Sequence, residues 1–286
     1  MFKGGTSLSK GWGLIDRFSE DIDLAIDPKY LGFQDVSTRS QRTRLRKESK
    51  KFIDGVLSND LEHALTDARL CSCCKVIVPE TPVSDLDPAV LFVEYDSVLP
   101  NKIQYIPERV KIEISCRSLM EPCEEVKMRS MVEDAYPDED FSWPVFSVST
   151  VVPGRTFLEK VFLLHEEFNR PNGCARIERI TRHMYDIVKM MDKPFAIEAM
   201  QNAKLYADIV VHREKFTAWS GLDYGSHFPQ TISFLPPESI DEKLREDYKQ
   251  MKAGFIYADA PSYEEIMARL RDLQKRFREL KWGNKR

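Results

Sequence analysis

The sequence predicts an α+β protein, a mixed β-sheet with helices over residues 1–150 followed by a helical domain over residues 151–286. Two observations predict it. Up to about residue 150, short runs rich in β-branched residues alternate in polarity and stop at Pro, Gly or Asp, the pattern of strands with one face on a core. From Arg155 onward, apolar residues recur at intervals of three and four, the pattern of amphipathic helices. A chain of 286 residues is long enough for two domains of ordinary size, and 42% hydrophobic with 31% charged residues is a globular composition.

The elements follow in order. Gly4 and Gly5 come before any strand or helix is legible. A loop that positions a ligand needs an element packed behind it, so the reading expects either chain before Met1 or a partner against the N-terminus. Residues 22–26 alternate and then meet Asp27-Pro28, a strand and its terminator. Residues 38–66 read as one helix, with Leu45, Phe52, Val56, Leu57 and Leu61 near helical spacing. Residues 75–78, 90–95 and 109–115 read as strands. In the last, Val110, Ile112 and Ile114 point one way, and Lys111, Glu113 and Ser115 the other. Residues 133–153 read as an acidic, Pro-rich loop with a short strand at 145–148. Helices are expected over 155–168, 174–192, 195–217, 238–254 and 262–281, the last opening on a Ser262–Glu265 capping box.

The net charge of -4 is unevenly spread. Residues 1–154 carry 19 Lys/Arg against 26 Asp/Glu, and residues 155–286 carry 23 against 20. Residues 39–51 hold seven basic residues against one Glu, and residues 269–286 hold eight against two acids. An acidic half suits divalent metals and basic runs suit polyanions, although each run also fits an ordinary solvated helix face. No run of 18 apolar residues and no signal-peptide core is present. The expectation is a cytoplasmic protein, with no membrane partner and with its six cysteines reduced.

The chemistry concentrates in residues 2–26. Asp21 and Asp23 lie two apart on a strand, so both carboxylates leave the same face and can share one or two hard cations. Upstream, Gly4-Gly5 lets the main chain approach a ligand closely. Thr6 or Ser7 capping a helix over residues 7–13 would turn free N–H groups toward an anion, with Lys3 and Lys10 adding positive charge. Together these features make a coherent site for a metal-bound nucleoside triphosphate. The plain alternative is a glycine turn beside a surface strand.

Lys3-Gly4-Gly5-Thr6 followed by Arg17-Phe18-Ser19-Glu20-Asp21-Ile22-Asp23-Leu24 resembles the first motif of the AbiEii-like nucleotidyltransferases. These are members of the DNA-polymerase-β-like superfamily, many of them toxins of bacterial toxin–antitoxin or abortive-infection systems. Matches run to about residue 190, and the last 90 residues carry no family motif. The resemblance implies an N-terminal nucleotidyltransferase-type sheet and roles residue by residue. Asp21 and Asp23 take the place of paired metal ligands, and Glu113 that of a third carboxylate on a neighbouring strand. Ser19, with Lys3, Gly4, Gly5, Thr6 and Ser7, lies where the phosphates bind. Lys160 matches the lysine at the start of a helix, suited to neutralising a triphosphate. Asp186, which would orient a substrate or a base, matches an acid in a segment where Arg182-His183 stands in place of the usual basic-acidic pair, and Arg182 is assigned to the nucleotide. Arg179, Arg182, Asp186 and Lys189 fall at helical spacing, as would also befit a solvated ion-pair face.

The resemblance further implies Mg2+, with Mn2+ able to replace it, a nucleoside triphosphate substrate, tRNA as acceptor and a cognate antitoxin. Two other classes fit the residues: transfer to a small molecule, and a nucleotide-binding regulator without catalysis. Cys71-Ser72-Cys73-Cys74 contains a C-x-x-C, but His63, Cys116 and Cys123 offer no zinc-ligand spacing. His165 on an apolar stripe reads as a core histidine, and His183 and His212 as surface or helix-packing residues. Trp219, Tyr224, His227 and Phe228 read as packing, with base stacking as the alternative.

Overall fold

The computed structural model describes residues 1–19, 21–34, 36–98, 108–120, 122–139, 144–171 and 175–282. The chain forms two compact units, one of Met1–Gly11 with Ser19–Thr150 and one of Trp12–Phe18 with Val151–Arg286.

The first unit is built on a seven-stranded mixed sheet of order β3-β4-β5-β2-β1-β7-β6. Its strands are β1 (Phe2–Lys3), β2 (Asp21–Ala25), β3 (Cys74–Ile77), β4 (Ala89–Tyr95), β5 (Arg109–Ser115), β6 (Cys123–Met128) and β7 (Phe146–Val151). The parallel register of β2 on β5 sets Ile22 beside Ile112 and Leu24 beside Ile114, and antiparallel β4 adds Leu91 and Ala89. These side chains share one face because residues two apart on a strand do. They form a core with Ile53 from the helical arm that covers it. That arm is α2 (Arg39–Phe52), a π turn (Ile53–Leu57) and α3 (Ser58–Asp67), so the single helix expected over 38–66 is continuous but loosened in its middle. Thr38 and Gln41 close a capping box at its start.

Three expectations change here. The N-terminus does carry an element before the glycines: Phe2–Lys3 pairs antiparallel with β2 and parallel with β7. Two residues are too few to show any period. The helix expected over 7–13 instead starts at Gly4, as α1 (Gly4–Thr6) running into a π turn (Ser7–Gly11). Thr6 therefore ends α1 and Ser7 follows it as the C-cap, so neither is the expected N-cap. Thr6 Oγ1 donates to the Asp21 carbonyl, and Ser7 Oγ donates to the Gly4 carbonyl at 2.9 Å. The region expected as a loop over 133–153 also holds the end of the short helix α4 (Met131–Ala135) and a strand longer than the one expected at 145–148, and β6 precedes it where no strand was expected.

The second unit is helical: α5 (Pro153–Phe168), α6 (Thr181–Met190), α7 (Pro194–Gln201), α8 (Ala203–Phe216), α9 (Asp241–Gly254) and α10 (Tyr263–Arg278). The helix expected over 174–192 begins only at Thr181. Arg179 has a positive φ of 60°, which ends any earlier helical run, and Asp247 accepts from Arg179 N, Thr181 N and Thr181 Oγ1 to fix the start. The helix expected over 195–217 breaks at Asn202, whose side chain caps the next helix by accepting from Leu205 N. The Ser262–Glu265 capping box forms as expected. His165 is buried, with Nε2 3.0 Å from Ser226 Oγ, and Tyr224 stacks on buried His227. Among the described residues no helix is long and apolar enough to cross a membrane.

Candidate active site

In the first unit, the two aspartates sit where the strand period puts them. The β2–β5 register sets Asp21 beside Lys111 and Asp23 beside Glu113, all on the face opposite the apolar core. Antiparallel β1 sets Lys3 beside Asp23. Gly4 follows at once with φ +76°, and a Cβ built on it would lie 1.9 Å from Asp23 Oδ2. Main chain and carboxylate thus meet at a distance that only glycine allows, in a backbone region that disfavours side chains. Thr6 ties the turn to the Asp21 carbonyl, Lys3 Nζ donates to Ser118 Oγ at 2.8 Å, and Ser19 is half-buried just before β2.

The donor set of Asp21, Asp23 and Glu113 is all oxygen and comes from adjacent strands on one face, which fits a hard divalent cation such as Mg2+ or Mn2+. As the side chains stand, no three His, Cys, Asp or Glu among the described residues are gathered closely enough to hold one ion. Glu113 is instead ion-paired with Lys111, its neighbour two residues back. The same finding covers the cysteines. Cys71, Cys73, Cys74, Cys116 and Cys123 are free thiols, while Cys174 lies outside the described residues.

The other sequence-selected residues belong to the helical unit. Asp186 on α6 is fully enclosed, and Arg17 grips it with a fork, Nε to Oδ1 and Nη2 to Oδ2 at 2.7 Å each. Lys160 Nζ reaches the same carboxylate at 2.9 Å and His183 Nδ1 at 3.2 Å. Burial pushes the Asp186 carboxyl up, but Arg17 and Lys160 outweigh it and hold the group at about 2. Burial lowers the Lys160 ammonium; Asp186 opposes the shift and Arg17 adds to it. Burial, and then the charges of Lys160 and Arg182, keep His183 well below its ordinary value and so neutral. One enclosed carboxylate thus holds two cationic side chains in place.

Several expectations for these residues change. Asp186 lies in no solvated face, and Arg179 lies before α6 rather than on it. Lys189 is paired with Asp16 at 2.7 Å. Lys160 stands about two turns into α5, because Pro153 starts that helix earlier than the pattern suggested. Arg17 went unassigned in the sequence, although it opens the Arg17-Phe18-Ser19 string. Its partner is 169 residues away, beyond the reach of any local pattern.

Compared with known proteins, the chain is similar in fold to MenT4, a nucleotidyltransferase toxin from Mycobacterium tuberculosis H37Rv. The TM-score is 0.50 and the identity 20%, over 99% of this chain and 76% of that one. No curated protein matches. The family described as "Nucleotidyl transferase AbiEii toxin, Type IV TA system" matches residues 1–275, reaching well past the motifs that end near residue 190. Since that match takes in the two aspartates, the glycine turn and nearly all of both units, the chain belongs to the AbiEii nucleotidyltransferase toxins of type IV toxin–antitoxin systems.

Proposed function

We propose that the protein transfers a nucleotide from a nucleoside triphosphate to tRNA in a Mg2+-dependent reaction, and that a cognate antitoxin restrains it. The observation that carries this reading is the contact of Gly4 with Asp23 on the face shared by Asp21 and Glu113. It sets a main-chain turn that can receive phosphate oxygens against carboxylates that can hold the accompanying cation. Asp21, Asp23 and Glu113 are the assigned metal ligands, with Mn2+ able to replace Mg2+. A bound divalent cation there would lower the pKa of an attacking hydroxyl and neutralise charge on the departing pyrophosphate.

The chain's own residues bind and orient. Lys3, Gly4, Gly5, Thr6, Ser7 and Ser19 are assigned to the triphosphate. The helical unit is assigned to nucleotide and acceptor recognition through Lys160 and Arg182. Asp186 acts there through Arg17 and Lys160, which it holds in place, rather than by touching substrate. Preorganised charge of this kind contributes most to phosphoryl-type transfer, because it needs no rearrangement as the reaction proceeds.

The test is incubation of the protein with Mg2+, each labelled nucleoside triphosphate in turn and total tRNA, beside an Asp21→Ala/Asp23→Ala control. Label in tRNA only with the intact carboxylates supports the reading. Equal labelling by both proteins refutes the site, and labelling of a small molecule with tRNA omitted refutes the acceptor.

A further inference from the structure

Lys111 lies on the same face of the sheet as Asp21, Asp23 and Glu113. It lies two residues before Glu113 on β5, faces the same way, and its ammonium is ion-paired with Glu113 Oε1. It is also the register partner of Asp21, as Glu113 is of Asp23. Both side chains remain partly open to solvent, at 35% and 28% exposed. A lysine ammonium is a compact, hydrated point charge on a flexible stem, so it can hold a carboxylate and release it. A divalent cation that takes Glu113 as a ligand must draw the same carboxylate oxygens away from that ammonium. Lys3 gives the contrast within the same unit. It is in register with Asp23, but its ammonium is engaged by Ser118.

We propose that Lys111 is a positioning residue for the metal site: it holds Glu113 when no metal is bound, competes with the incoming divalent cation for that carboxylate, and thereby sets how tightly the cation binds. The proposal rests on Asp21, Asp23 and Glu113 being the metal ligands. Its signature is a metal affinity that rises when the lysine is removed, and that rises only while Glu113 is present.

The test is Mn2+ binding to the whole protein without nucleotide, followed by calorimetry or electron paramagnetic resonance. The proteins compared are the wild type, Lys111→Met, Lys3→Met, Glu113→Gln, the Lys111→Met/Glu113→Gln double variant and Asp21→Ala/Asp23→Ala, with folding checked by circular dichroism. Lys111→Gln replaces the methionine variant if that one does not fold. Lys111→Met is expected to tighten Mn2+ binding by about fivefold, the factor that corresponds to roughly 1 kcal/mol. Lys3→Met should tighten it less, and Lys111→Met should have no effect once Glu113 is glutamine. No change in Lys111→Met, or an equal gain in the glutamine background, overturns the proposal and leaves the metal site standing. Wild-type Mn2+ affinity in Asp21→Ala/Asp23→Ala overturns the metal site itself, and this proposal with it.

Discussion

Asp186 answers two cations with one carboxylate while fully enclosed, so its charge is hard to replace. Asp186→Asn keeps the shape but removes the buried charge that Arg17 and Lys160 share, and is expected to destabilise the protein by about 3–5 kcal/mol, seen as a lower urea midpoint. The pH dependence has a definite sign. The carboxyl titrates at about 2 in the folded chain against an ordinary 3.8, so the unfolded chain binds its proton more tightly. Its contribution, about 2 kcal/mol, is complete above pH ~4 and fades as pH falls toward 2, and Asp186→Asn should lose this part of the acid limb of the stability profile. Gly4 is the other residue with no substitute. In Gly4→Ala the new methyl would drive Asp23 off its position, and metal-dependent triphosphate binding should weaken at least about tenfold. Gly55→Ala, where a Cβ meets nothing within 4 Å, should leave that binding unchanged.

At the scale of elements, the start of α6 is held from outside by Asp247, which accepts from Arg179 N, Thr181 N and Thr181 Oγ1. Asp247→Ala should cost about 1–2 kcal/mol, as loss of a helix cap does, and thermal unfolding should show it as a lower midpoint. The same contact explains why the spacing predicts a longer helix than forms. Ile177, Ile180, Met184 and Ile187 keep a helical spacing that runs through the positive φ of Arg179, and only a partner about 70 residues away stops the helix there. Elements whose signals are local were legible. Ser262–Glu265 and the alternation of residues 109–115 are complete within their own segments. Phe2–Lys3 was not, because a two-residue strand exists only through its neighbours β2 and β7.

At the scale of the whole molecule, the two basic runs offer less to a polyanion than their composition suggests. On α10, Arg269 and Arg276 both pair with Asp192, Arg276 also with Asp272, and Lys275 with Glu279. On α2, Arg46 pairs with Asp85 and Lys50 with Asp54. Binding of tRNA should therefore depend on salt less steeply than the runs imply, with a slope of log K against log salt shallower than about −4 in a filter-binding titration. The candidate site was legible to different depths for one reason, the range over which its parts speak to each other. Asp21 and Asp23 are tied by the two-residue period of a strand, and Gly4 by its nearness to the motif. The Arg17–Asp186 fork and the Lys111–Glu113 pair depend on side-chain geometry that spacing alone does not determine. The central claim, that Asp21 and Asp23 beside Gly4 hold a metal-bound triphosphate, is tested most directly by equilibrium binding of each nucleoside triphosphate with and without Mg2+, in the wild type and in Asp21→Asn/Asp23→Asn. The account predicts binding that needs Mg2+ in the wild type and is at least about tenfold weaker in the variant; binding of equal strength in both proteins, with or without Mg2+, would contradict it.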